Sequence, residues 1–193
     1  MNSRRRWAGL LISIICFSQI FGMISFAKPD WPSDTGIMAE AGIVMDADSG
    51  AMIFGQNSKL PYYPASITKL VTALVVIENA SLDERVVFSN DAVNNVESGS
   101  GNPLNLDVGD ELSVKDCLYA MLLRSSNQAA NALAEHVGGT RDGFVEMMNA
   151  RIAQIGCTGS HFKNPSGLND SEQVVTAYDM ALIARVAFEN PQL

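Results

Sequence analysis

The chain has 193 residues, 47% of them apolar and 18% charged, an ordinary globular composition with enough length for one packed domain. Its net charge of −8 at pH 7 argues against a nucleic-acid partner and against an anionic membrane surface. A solvated acidic face accounts for the excess of Asp and Glu.

In chain order, Arg4, Arg5 and Arg6 form a basic start, followed by the apolar stretch "WAGLLISIICFSQIFGMI". Ser25 and Ala27 then supply the small residues of a cleavage site. A cleaved signal peptide over residues 1–27 is expected, with an exported, extracytoplasmic domain over residues 28–193. The alternative is an uncleaved anchor, because the stretch approaches the roughly 20 residues that span a bilayer. Either way, membrane contact is expected only through this segment. Its removal takes away three arginines and no acid, so −8 becomes −11. Cys16 lacks the preceding small residues of a lipoprotein site. Cys117 and Cys157 fall in helical or helix-terminal segments, where a small buried hydrophobe is the expected role.

"AGIVMDADSGAMIFGQN" reads as a hairpin, with runs Ile43 to Met45 and Ala51 to Phe54 around a turn. The segment Ser66 to Ala80 is rich in β-branched residues, yet its length predicts a helix, and its apolar residues on every side predict one buried all round. Residues 83–112 hold short strand-like pieces around "RVVFS" and a Gly- and Ser-rich loop, "ESGSGNP". Ser113 and Asp116 predict a capped start for a helix over Val114 to Leu123. A helix over Gln128 to Val137 should stop at Gly138 and Gly139. Thr140 caps a third, with Phe144, Met148, Ile152 and Ile155 on one face up to Gly156. "NPSGL" at 164–168 is a turn cluster, and Thr176 with Asp179 opens a last helix that ends near Pro191. A lone hairpin needs more strands or a covering helix.

Within this pattern Ser66 and Lys69 stand at i and i+3 where the buried helix begins. That spacing puts both on one side of the helix, so the amine can reach the hydroxyl. The positive potential of a helix N-terminus favours an alkoxide and an unprotonated amine. Serine is a weak nucleophile until a neighbouring base takes its proton, which a lysine with a lowered pKa can do. The bare pattern arises by chance about once in a chain of this size, and Ser160 to Lys163 is a second match. The second precedes a turn and opens no helix. A companion Ser-x-Asn element also has two candidates, Ser100 to Asn102 in the Gly-rich loop and Ser125 to Asn127 between two helices. The helix junction can hold polar side chains rigidly beside a buried helix, which selects Ser125 and Asn127.

"YPASITKLVTALVVIE", "LYAMLLRSSNQAANALAEHVGG", "HFKNPSGLND" and "VTAYDMALIARVAF" together resemble the serine D-alanyl-D-alanine carboxypeptidases, the low-molecular-weight penicillin-binding proteins. The likeness covers most of residues 40–190. It implies an α+β fold: the mostly helical part of a penicillin-binding-protein/β-lactamase-like domain, with an N-terminal hairpin of an antiparallel sheet whose remaining strands are not in the chain. It implies that Ser66 is acylated by the penultimate D-Ala of a peptidoglycan stem peptide ending in D-Ala-D-Ala, with Lys69 as its base. Ser125 would relay a proton to the leaving amine, and Asn127 would hold the substrate amide and orient Lys69. β-Lactams would be covalent inhibitors, and no cofactor or metal is expected.

The chain departs from this family in one respect. The third element, Lys-Thr-Gly on a strand beside the nucleophile, has no match, since Lys163 is the only lysine after Asn127 and is followed by Asn164 and Pro165. By the resemblance, that strand binds the terminal carboxylate and supplies one oxyanion-hole N–H. Losing one such donor costs ~10²–10³ in rate. The expectation is therefore an incomplete, C-terminally truncated catalytic domain with impaired turnover. A non-catalytic muropeptide-binding or scaffold role is one alternative. A class A β-lactamase is another, opposed by Ser126 at the middle of "SSN" and by the poor match of "EQVVT" to that class's Glu element.

Overall fold

The run that follows Ser66 becomes the central helix. In the structure, a computed structural model describing residues 37–96 and 100–193, helix α1 spans Thr68–Asn79, and Val71 to Ile77 are all buried. The expected signal segment and the boundary at residue 28 lie outside the described residues. From Met38 to Leu193 the chain forms one compact unit.

Strands β1 (Gly42–Met45) and β2 (Met52–Gln56) make the expected antiparallel hairpin, with a register irregularity between Val44 and Met45. A second pair, β3 (Arg85–Val87) with β4 (Glu111–Ser113), brackets the short helix α2 (Asn90–Asn94). β4 was not anticipated: three residues leading straight into a helix carry too little alternation to show in the sequence. Helices α3 (Val114–Arg124), α4 (Asn127–Gly138), α5 (Arg141–Ile155) and α6 (Ala177–Glu189) follow.

Their ends obey the local chemistry. Ser113, Ser126, Thr140 and Thr176 each cap a helix by accepting a backbone N–H three residues on. Gly139 and Gly156, both at positive φ, take the α4 and α5 carboxyl ends out of the helix.

Packing places α1 against α3, α4, α5 and α6. An all-apolar helix is stable only when surrounded like this, because each buried Val or Leu contributes about 1.5–3 kcal/mol that exposure would forfeit. The buried part of α4 is rich in small residues, Ala129, Ala130, Ala132 and Ala134. Small side chains let two helices approach closely, which brings the N-terminus of α4 beside that of α1. Helix α6 covers the hairpin: it contacts β1, and Arg185 donates to the carbonyls of Ala47 and Asp48. Cys117 and Cys157 are both free and buried, the role expected of them.

Candidate active site

The nucleophile position departs from a simple helix start. Ser66 lies in a 3₁₀ turn, Ala65–Ile67, that leads into α1. Ala65 before it has φ +48°, a left-handed conformation that costs an L-residue about 1–2 kcal/mol. That kink leaves Ser66 exposed while Lys69, three residues on, is only 3% exposed.

The Lys69 amine makes three hydrogen bonds. It donates to Ser66 Oγ at 3.1 Å, to Asn127 Oδ1 at 2.8 Å and to the Ser166 carbonyl at 2.6 Å. Burial brings its pKa down to about 8. The free amine is therefore populated to a minor extent near neutral pH, far more than for an ordinary lysine. An uncharged amine has two N–H groups and one lone pair. With its N–H groups on the two carbonyl-type acceptors, the lone pair is left facing Ser66 Oγ.

Ser125 stands on the other side of Ser66, its hydroxyl donating to Ser66 Oγ at 3.0 Å. It owes this place to the α3–α4 junction. Helix α3 ends at Arg124, Ser125 turns left-handed at φ 53°, and the Ser126 N–H closes back on the Ala120 carbonyl at 3.1 Å. Ser126, fully buried, then caps α4 through Ala129 N, so Asn127 begins the helix with its side chain on Lys69.

The structure thus brings together all four residues singled out in the sequence. The rejected matches lie elsewhere or do other work. Ser160 accepts the Thr176 N–H, and Lys163 pairs with Glu172 at 3.1 Å. Ser100 and Asn102 line the same cleft, an open cavity of about 560 Å³ that also borders Ser66, Arg124 and Ser125. Asn102 holds its own loop through both polar atoms on Leu106.

The segment whose residues read as a turn cluster packs directly against Lys69 and the nucleophile turn. Thr72 Oγ1 donates to the Pro165 carbonyl at 2.7 Å, one turn beyond the Lys69 contact with Ser166. Gly167, at φ +87°, packs on the Ala65 carbonyl. Sequence reading missed these contacts because the loop makes all three with backbone atoms.

A hydroxyl between an amine and a second hydroxyl, at a helix N-terminus and open to a cleft, is the arrangement of a serine nucleophile beside a base. The D-alanyl-D-alanine carboxypeptidase family profile (peptidase S11) matches residues 28–192. The chain belongs to that family. It is 33% identical over 187 residues to the D-alanyl-D-alanine carboxypeptidase DacF of Bacillus subtilis, covering 94% of this chain and 47% of that one. Its fold is similar to penicillin binding protein 6B from Escherichia coli (TM-score 0.78, 30% identity, 85% of this chain and 54% of that one). It is also similar to the carboxypeptidase DacD from Francisella tularensis (TM-score 0.73, 35% identity, 80% and 38%). The chain spans about half the length of the curated relatives it matches.

Proposed function

We propose that this chain carries the acyl-transfer centre of a serine D-alanyl-D-alanine carboxypeptidase, acting outside the cytoplasm on peptidoglycan stem peptides that end in D-Ala-D-Ala. Ser66 Oγ attacks the carbonyl carbon of the penultimate D-Ala as its proton passes to Lys69 Nζ. The C–N bond to the terminal D-Ala breaks, and the leaving nitrogen takes a proton through the Ser125 hydroxyl. Asn127 orients Lys69 and binds the substrate amide. Water then attacks the Ser66 ester with Lys69 as base, releasing the shortened peptide and restoring the Ser66 hydroxyl. β-Lactams enter the same first step and stop there.

The observation that carries the reading is the Lys69 amine, buried and 3.1 Å from an exposed serine hydroxyl. Among the described residues no helix is long and apolar enough to cross a membrane. The test is free D-Ala release from a peptide ending in Lys-D-Ala-D-Ala. D-Ala should accumulate with the native chain and not with Ser66→Ala. Equal release from both would remove Ser66 from the reaction.

A further inference from the structure

The shortest contact of Lys69 is to a backbone carbonyl, so its geometry depends on the loop that carries Ser166. Residues 163–173 have almost no regular structure, with only two isolated bridges beside them, His161 to Val174 and Tyr62 to Val175. Two side-chain amides take the place of a ladder. Gln173, 1% exposed, accepts the N–H groups of Lys163 at 2.9 Å and Asn164 at 3.0 Å through Oε1. Its Nε2 donates to the Leu168 carbonyl at 3.2 Å and to Asn164 Oδ1 at 3.4 Å. Asn164 Oδ1 in turn accepts the N–H of Gly167 at 2.8 Å, and the N–H and hydroxyl of Ser166 at 3.2 Å each. Asn164 Nδ2 closes the turn on the Leu168 carbonyl at 2.9 Å.

A buried glutamine with both ends of its amide occupied is an expensive way to fill core volume, since an apolar residue would avoid the desolvation. Its hydrogen bonds all converge on one turn. The Ser166 N–H is tied to Asn164, and the carbonyl of the same residue reaches Lys69 at 2.6 Å. We propose that Gln173 and Asn164 are positioning residues for Lys69, locking the turn so that Ser166 takes one N–H and the amine lone pair is held toward Ser66.

The inference rests on the reading of Lys69 as base. It extends that reading by making the loop a third support for the amine, besides Asn127 and the helix itself. The charged groups around Lys69 leave the role to neutral partners. Arg124 lines the cleft, and the loop carries Lys163, Asp170 and Glu172. Lys163 pairs with Glu172, and among the described residues Lys69 has no ion-pair partner. Proton affinity at Lys69 is therefore governed by its burial, and a loosened loop that lets water in will register in it directly.

The test uses the full chain and Gln173→Met, which keeps the volume and removes the amide. Two quantities are read: the rate of Ser66 acylation by benzylpenicillin from about pH 6 to about pH 10, and the titration of Lys69 followed by NMR of ¹³C-labelled lysine. Acylation at neutral pH should fall on the order of 10²-fold, the size expected for a misplaced reacting group. Its acid limb and the Lys69 titration should both move to higher pH, because water reaching the amine restores its ordinary basicity. A variant with slower acylation and an unmoved Lys69 titration would make Gln173 merely structural and overturn the proposal. Unchanged rate and titration would do the same. Gln173→Asn, which withdraws the same amide by one methylene, serves if the methionine variant does not fold by circular dichroism. If the folded native chain is not acylated at all, the base reading fails on its own. The Lys69 titration then still decides whether Gln173 controls the amine.

Discussion

Gly167 rests against the carbonyl of Ala65, so close that a Cβ at position 167 would overlap that oxygen. Both residues are left-handed, at φ +87° and +48°, and they abut directly behind the nucleophile. The turn that exposes Ser66 is thus braced from outside α1, which is how a conformation costing about 1–2 kcal/mol persists at one residue.

Gly167→Ala should consequently do more harm than one methyl group suggests. The left-handed φ disfavours alanine by about 1–2 kcal/mol, and overlap with Ala65 forces either the loop or the nucleophile turn to move. Urea unfolding should show a loss of more than about 1 kcal/mol. Acylation of Ser66 should fall on the order of 10²-fold, because Ser66 is displaced from Lys69. Native-like acylation in this variant would mean that the brace is dispensable.

Ser125 invites the opposite trade. Its φ of 53° suits glycine better than serine, and its hydroxyl is what touches Ser66. Ser125→Gly should stabilise the chain by up to about 1 kcal/mol. It should also slow acylation by about 10²–10⁴-fold, the range for a lost proton-transfer group. Ser125→Ala should be as slow without the gain in stability. Thermal melts and benzylpenicillin rates on the pair separate the two effects.

The lowered pKa of Lys69 has consequences for both rate and stability. Acylation should rise with pH through about 8 and then level, as the free amine becomes the dominant form. For stability, the unfolded lysine titrates near 10.5 and the folded one near 8. Between those values the unfolded chain holds more protons, so this residue's contribution to stability increases with pH. Below about pH 8 the full cost of burying the ammonium is present. Urea midpoints of the native chain and Lys69→Met should therefore differ by an amount that changes between pH 7 and pH 10 in favour of the native chain. A constant difference would mean that Lys69 keeps an ordinary pKa.

Both buried cysteines should be inert. Burial pushes the thiols of Cys117 and Cys157 up to about 12, leaving almost no thiolate at neutral pH. Peptide mapping after brief alkylation at pH 8 should find neither modified in the folded chain and both modified after denaturation. Rapid labelling of either in the native state would contradict the packing described.

Much of this was legible in the sequence because it is written in side chains. The apolar run of α1, the caps at Ser113, Thr140 and Thr176, and the stops at Gly139 and Gly156 are local signals, and each element appears where they put it. The junction between two patterned helices also marked Ser125 and Asn127, which the fold sets against Ser66 and Lys69. What escaped notice is carried by the main chain or by distant pairing. The Ser166 carbonyl has no residue signature, and the left-handed Ala65 contradicts alanine's own helical preference. The bracing by Gly167 joins positions about a hundred residues apart. Gln173 carries no sequence signal either, because nothing local says that its amide is buried.

The measurement that bears most directly on the account is intact-mass spectrometry of the folded chain after incubation with benzylpenicillin, with Ser66→Ala in parallel. One covalent adduct is expected on the native chain, mapped to Ser66 and absent from the variant. A folded native chain with no adduct, or an adduct that survives Ser66→Ala, would contradict it.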